Sequence, residues 1–383
     1  MANTLTALAP TLFGVADEIA AEPSGALNAI NMNYDDKGVD LSGSVTIPIA
    51  PAASVGTYTP AMTTTAGTNK TATTLTISSF TNDETSWHLT GEEVKQLENG
   101  DTNRVEWARQ LIGEGMRAFR NAMSAAACVA IKIGASRATG TAGTTPFASD
   151  LTDLTNARKI LRDNGAPMTN LQCVVTTDAY LKLTNLGIFQ QANLAGSDEE
   201  RRTGIMKRQF GFQFHEDANI VAHTIGTPSG TLASATEPVG ETSIAYDGDT
   251  NGPWTAGDVV TFGSGGGSGT ADANKYINSA ANTASPLILN KPGLRLEHVD
   301  NDTMTVGAAY TGCYAFEKSA VIGVVRPPII PASPLIKQLK ITDKFGLTYL
   351  LCEIVGDGMT TWRLNLAWAF KAIKSEFIAT ILG

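Results

Sequence analysis

The chain has 383 residues, 43% of them hydrophobic, so it holds ample material for buried cores and is not a disordered tail. Only 17% are charged, against roughly 25% in typical soluble proteins, while Gly, Ala, Ser and Thr abound, so much of the surface is neutral and β-prone. With 28 basic against 37 acidic residues the net charge is -9, which argues against a general binder of nucleic acid or of anionic membrane.

Cys128, Cys173, Cys313 and Cys352 lie far apart with no C-x-x-C pair, so neither a zinc framework nor a dense disulfide scaffold is encoded. They read as buried thiols of a reducing compartment. Met1 to Ala21 carries no cation and no continuous apolar run, so neither a signal nor a transit peptide is expected. No stretch of 18 uncharged apolar residues offers a spanning helix. These features place the chain in the cytosol.

Residues 1–42 read as an N-terminal arm, with a short amphipathic piece around Leu12 to Ile19 and polar turn-formers through Asn31 to Asp36. From Gly43 to Asn82 the only charged residue is Lys70. Two β-rich runs, Ser44 to Ile49 and Thr71 to Phe80, flank a Pro-, Gly- and Thr-rich middle, the pattern of a long two-stranded ribbon. A lone ribbon is at best marginally stable in water, so an ordered one lies on its own body or on an adjacent subunit. The plain alternative is a surface hairpin or flexible linker.

Thr90 followed by Glu93 makes a capping box for a helix that takes in Val94 and Leu97 and pauses at Asn99 to Asn103. A much longer helix follows. Apolar or small residues recur at Ala108, Leu111, Ile112, Gly115, Phe119, Ala122, Met123, Ala126, Ala130 and Ile133, a stripe of about 30 residues or roughly 45 Å. Arg104, Glu106, Arg109, Glu114, Arg117 and Arg120 fall on its outer face, which makes it a half-exposed spine. The many alanines and the lack of Leu or Ile at successive seam positions weaken a coiled-coil reading.

A further helix is expected from Leu151 to Asn164, capped by Ser149 or Asp150 and stopped by Gly165 and Pro167. The strand Leu171 to Thr176 comes next, then helices over Asp178 to Leu186 and Asp198 to Phe210, so the alternation predicts a compact α+β unit. Ile225 to about Val299 turns β-rich. Strands at Ser243 to Tyr246, Asp258 to Phe262, Tyr276 to Ser279, Pro286 to Leu289 and Leu294 to Val299 predict a small inserted barrel or sandwich. The host unit resumes with strands in Val306 to Phe316 and Ala320 to Val325, and closes with Ile341 to Ile354 and Trp362 to Leu382 around the turn Gly356 to Gly358.

No pattern for chemistry emerges. His88, His215, His223 and His298 include no pair at helical i, i+4 spacing. The tract Gly263 to Gly269 lacks a following Lys-Ser/Thr, and neither a G-x-S-x-G elbow nor a strand-borne G-x-G-x-x-G is present. Paired carboxylates such as Glu92 with Glu93, or Glu199 with Glu200, sit beside cations on exposed helix faces and read as solvated charge. The expectation is no enzyme, no metal and no cofactor.

The order of elements resembles the major capsid proteins of tailed bacteriophages, the HK-ninety-seven-type shell fold, and among them the short-tailed-phage coats with an inserted β-domain. Four segments carry the likeness: Gly204 to Ile220 (GIMKRQFGFQFHEDANI), Thr255 to Gly265 (TAGDVVTFGSG), Ala315 to Ile329 (AFEKSAVIGVVRPPI) and Gly346 to Leu382. The resemblance implies an α+β plan: arm at 1–42, extended β-loop at 43–89, peripheral domain with the spine helix at 90–170, and first axial part at 171–224. It continues with an inserted small β-barrel at 225–303, the axial return at 304–334, and peripheral and closing axial strands at 335–383.

It further implies self-assembly into hexamers and pentamers of an icosahedral shell around double-stranded DNA, with no sequence-specific reading of that DNA and no membrane. Scaffolding protein and portal are the implied partners, the virion capsid the implied location, and the host bacterial cytoplasm the place of assembly. Lys70 and the cluster Glu199, Glu200, Arg201 and Arg202 are the expected intersubunit contacts, and Lys70 is also the one ribbon lysine that a family-type cross-link to asparagine could use. An encapsulin-like nanocompartment shell and a β-rich surface or adhesion protein are the competing readings.

Overall fold

A computed structural model describes residues 22–34, 45–49, 73–77, 80–98, 103–190, 202–206, 208–248, 252–263, 272–330, 333–343, 346–356 and 358–383. A short helix, α1 (Gly25–Ala29), and a strand, β1 (Asn31–Tyr34), open it. Their small apolar residues Ala26, Leu27, Ala29 and Ile30 are buried, so this part of the expected arm is docked on the body. The two runs flanking the ribbon pair antiparallel as β2 (Val45–Ile49) and β3 (Thr73–Ile77), Val45 opposite Ile77 and Ile49 opposite Thr73.

The next strand, β4 (Thr81–Thr90), has a polar sequence, TNDETSWHLT, that conceals it. The capping box then starts α2 (Gly91–Glu98): the Thr90 amide donates to Glu93 Oε2 at 2.8 Å, and the Glu93 amide donates to Thr90 Oγ1 at 3.4 Å. The spine helix is α3 (Asn103–Gly134), 32 residues long. Ile112, Met116, Phe119, Met123, Ala127 and Ile131 form its buried stripe at spacings of three and four. Two expectations need correcting: Ala122 is exposed, and Arg120, assigned to the outer face, is buried at 5% exposure. It flanks the stripe, where Ser24 covers it.

The central unit comprises β5 (Arg137–Gly140), α4 (Thr152–Asp163), β6 (Leu171–Thr176), α5 (Thr177–Thr184), the single turn α6 (Gly187–Gln190) and β7 (Phe212–Asp217). Asp150 Oδ1 accepts from the Thr152 amide at 2.9 Å, and Thr176 Oγ1 accepts from the Ala179 amide, so local side chains start both longer helices. The helix expected over Asp198 to Phe210 does not run to its end. Among the described residues only 202–203 are helical there, and Gly204 (φ 69°) and Phe210 (φ 51°) turn left-handed. The Tyr180 hydroxyl holds the segment open, donating to the Gly204 carbonyl and accepting from the Met206 amide.

The β-rich stretch supplies β8 (Leu232–Ala233), β9 (Ser243–Ile244), β10 (Tyr246–Asp247), β11 (Val259–Phe262), β12 (Lys275–Ile277), β13 (Leu287–Ile288) and β14 (Met304–Val306). The strand expected at Leu294 to Val299 is reduced to one bridge, His298 with Glu237. The last six strands are β15 (Cys313–Glu317), β16 (Val321–Arg326), β17 (Ile336–Thr342), β18 (Thr348–Val355), β19 (Met359–Ala372) and β20 (Ile378–Leu382). The expected strand Val306 to Phe316 is therefore split, with 307–312 between β14 and β15.

Two sheets dominate the described residues. An eight-stranded sheet runs β14-β11-β12-β5-β20-β15-β6-β7, and a six-stranded one runs β1-β16-β19-β18-β17 with β4 also on β19. Strands β11, β12 and β14 thus extend the central sheet through the β12–β5 pair, while β8 with β10 and β9 with β13 make two small sheets beside them. Spine helix α3 and the six-stranded sheet share the largest core, α4 to α6 line a second, and residues 233–304 enclose a third around Trp254, Phe262 and Tyr276. Phe80, just past the ribbon, packs on Val324 and Ala369.

Candidate assembly surface

The N-terminal segment is tied to the spine helix by a polar clasp. Glu22 accepts hydrogen bonds from the Arg117 guanidinium and, at 2.6 Å, from Asn121 Nδ2. Arg117 first and Asn121 second pull the Glu22 carboxyl down to about 2, and Glu22 in turn pushes the Arg117 guanidinium above its ordinary value. One turn on, Arg120 Nε donates to Ser24 Oγ at 2.6 Å. Buried Asp217 at the end of β7 completes the clasp, accepting from the Ala26 amide at 2.9 Å and from Ser124 Oγ at 2.5 Å. The clasp fixes Glu22 and Ser24 against the spine helix. Nothing in the spacing of Glu22, Arg120 and Asp217 announces it, because its members are some hundred residues apart in sequence.

A second polar joint closes the other end of α3. Asn290 Nδ2 donates to the carbonyls of Ile133 and Ala135 at 2.6 and 2.8 Å, satisfying groups that a helix end leaves without partners. Beside it, His223 Nε2 lies 2.8 Å from Asp258 Oδ1, and Asp258 also accepts from the Gly226 and Thr255 amides. Burial lowers the Lys132 ammonium, opposed by the charge of nearby Asp258. Lys275 Nζ donates to the Gly140 carbonyl, and Arg137 reaches Asn274 Oδ1 at 2.9 Å. The β-rich stretch is therefore fastened to the end of the spine helix and to β5 by directed polar contacts.

Of the residues expected at intersubunit contacts, Lys70, Glu199, Glu200 and Arg201 lie outside the described residues. Arg202 is described, exposed at the start of the 202–203 turn. Leu181 on α5, Ile188 on α6, Ile205 (66% exposed) and Phe210 each present a side chain to solvent. An apolar patch sits at the β18–β19 turn, where Leu335 (63% exposed), Val355 and Met359 are joined by Val355 N to Leu335 O and Gly356 N to Met359 O bonds. Clustered apolar side chains of this kind mark contact surfaces.

The four cysteines are free and buried. Among the described residues no group of three or more His, Cys, Asp or Glu is placed to hold a metal ion, and no helix is long and apolar enough to cross a membrane.

Solved phage structures are similar to this chain to differing degrees. A chain from Mycobacterium phage Che8 superposes with a TM-score of 0.51 at 12% identity, covering 95% of this chain and 93% of that one. The capsid of cyanophage P-SCSP1u gives 0.49 at 12% identity (95% and 89% covered), and the mature capsid of bacteriophage PhiM1 gives 0.48 at 12% identity (93% and 86% covered). No family model matches the chain, and no curated protein does. The fold is mixed α+β with several sheets, and it is shared with the Mycobacterium phage Che8 chain.

Proposed function

We propose that this protein is a major capsid subunit that assembles as hexamers and pentamers into an icosahedral shell around double-stranded viral DNA. The observation that carries this reading is the fold shared with the Mycobacterium phage Che8 chain over 95% of this sequence. The paired ribbon and the apolar patch at the β18–β19 turn agree with it, since each leaves surface that a second copy would cover. The role is structural, with no catalytic step. Scaffolding protein and portal are its partners, the virion is its location and the host bacterial cytoplasm its place of assembly. Within it, residues 225–303 act as an inserted β-rich unit braced on the spine helix, and the β2–β3 ribbon, ahead of the body-bound strand β4, as the extended loop that lies over a neighbour.

Purified protein, alone and with its scaffold, is expected to form closed shells in negative-stain micrographs. Replacing 50–72 by a short Gly-Ser turn is expected to leave the fold intact and abolish closed shells. Monodisperse monomers under every assembly condition would overturn the proposal. Nuclease-protected DNA inside particles from infected cells separates a viral coat from an encapsulin-like compartment.

A further inference from the structure

The third core has an ionic centre. The ring of His298 is buried and stacked on Phe262, with centroids 4.4 Å apart and planes 18° apart. Its Nδ1 lies 3.2 Å from Asp302 Oδ2, and its Nε2 lies 3.5 Å from Asp272 Oδ2, an ion-pair distance. Both carboxylates are buried as well. A neutral imidazole has one N–H and turns a lone pair outward at its other nitrogen, whereas an ionised carboxylate can only accept. Buried carboxylates facing both nitrogens are therefore matched by the doubly protonated ring.

The surroundings fix this arrangement. Asp272 accepts from Tyr276 Oη and Asn274 Nδ2, both at 2.6 Å, and from the Asn274 amide at 2.8 Å. Asp302 Oδ2 accepts from the Val299 amide at 3.2 Å. Tyr276 Oη accepts from the Arg295 amide at 2.9 Å. The cluster thus links β11 through Phe262, the turn before β12, β12 itself and the 295–302 loop.

We infer that His298 is an imidazolium clamped between Asp272 and Asp302, and that this clamp is a pH-operated lock: it holds residues 231–306 together in the neutral range and releases them, ahead of the rest of the fold, when alkali removes the ring proton.

Other charged groups do not replace it. Glu237, paired with His298 through the backbone, spends a carboxylate oxygen on the Ala245 amide at 2.9 Å. Arg137 and Arg295 act on the cluster from the Tyr276 side, and residues 264–271 carry no ionisable side chain. Burial alone would favour the neutral His298 ring, but the ion pair with Asp272 and the bond to Asp302 outweigh it and hold the ring above its ordinary value of 6.5. Burial likewise opposes ionised Asp272, yet the His298 and Tyr276 bonds bring that carboxyl down to about 2. A raised histidine contributes stability fully present below 6.5 and lost as pH rises through the folded value. Asp272 contributes stability present above its ordinary 3.8 and lost as pH falls through about 2. Beyond the alkaline limit two buried anions face a neutral ring, an arrangement that disfavours the closed state.

The test uses the full chain. Exchange of the imidazole carbon-bound hydrogen, followed by mass spectrometry against pH, reads each histidine separately. His298 is expected to titrate above 6.5, while His215 titrates at about 4 as an internal reference. Amide exchange, corrected for intrinsic rate, should show peptides from 232–306 losing protection about tenfold per pH unit between 6.5 and the folded value, with α3 and β6 still protected. The triple variant His298→Phe, Asp272→Asn, Asp302→Asn should lack that alkaline step. A His298 midpoint at or below 6.5 overturns the inference whether or not the variant folds, and so does uniform loss of protection across the chain.

Discussion

Truncating Phe119 to alanine should loosen the spine helix from the six-stranded sheet. The ring is 4% exposed, with its centroid 6.1 Å from that of Tyr349 on β18 and 6.0 Å, edge-on, from that of Trp368 on β19. Losing its burial costs about 2.5 kcal/mol of transfer free energy. A residual void on the order of 60 Å³, at about 24 cal/mol per Å³, adds about 1.5 kcal/mol. The sum, about 4 kcal/mol, falls within the range of roughly 3–5 kcal/mol usual for deleting a buried phenyl group. Guanidinium titration of the unassembled chain, followed by tryptophan fluorescence, should show the midpoint fall with the slope unchanged. Val129→Ala on the exposed side of the same helix should stay within about 0.5 kcal/mol. A Phe119→Ala loss below about 1.5 kcal/mol would refute the claim that ring packing, rather than the polar clasps, holds the helix to the sheet.

Gly134→Ala should destabilise by about 1–3 kcal/mol, against the usual gain from removing a helical glycine, because a Cβ there would collide with that of Ala372 on β19. Adding Ala372→Gly should restore the thermal midpoint. His215 is held at about 4, mainly by burial and then by Lys318, with its Nε2 2.7 Å from Gln172 Oε1. The unfolded chain therefore takes up a proton below about 6.5 that the folded chain refuses until about 4, so stability falls on acidification across that window. His215→Gln should flatten this part of the stability profile. Gln338→Val with Lys340→Val, on the outermost strand of the six-stranded sheet, should leave folding intact and turn regular assembly into amorphous aggregate by light scattering.

Elements whose signal is local were legible in the sequence. The pause at Asn99 to Asn103 and an apolar stripe from Ala108 to Ile133 marked the spine helix, which runs Asn103–Gly134, and the β-branched run marked Leu171–Thr176 at both ends. Elements made by partners were not. Strand β4 is mostly exposed and polar, and becomes a strand because ten of its residues, Thr81 to Thr90, pair with Trp368 to Met359 on β19. A helical wheel puts Arg120 near solvent because it cannot see Ser24, which arrives from a distant part of the chain. The His298 cluster was hidden for a related reason. Histidine-to-histidine spacing cannot show it, because the ring pairs with Asp302 four residues on and with Asp272 on a different loop.

A protein that joins copies of itself must also limit which of its strand edges recruit them. At one end of the six-stranded sheet, β1 is only four residues long, and at the other β17 exposes Lys337, Gln338 and Lys340. In the eight-stranded sheet, α1 and the Ser24–Asp217 bridge lie against β7, while a Leu232–Thr303 bridge flanks β14. Short length, lysine and the chain's own cover therefore blunt these edges. The ribbon differs: β2 and β3 pair only with each other among the described residues, so each has an outer edge with backbone donors and acceptors to offer. Low charge makes that edge receptive, since between Gly43 and Asn82 only Lys70 would have to be desolvated or paired on contact. Under the capsid role proposed above, recruitment through the ribbon, with these sheet edges guarded, would let assembly stop at a closed shell instead of continuing as sheet-on-sheet growth.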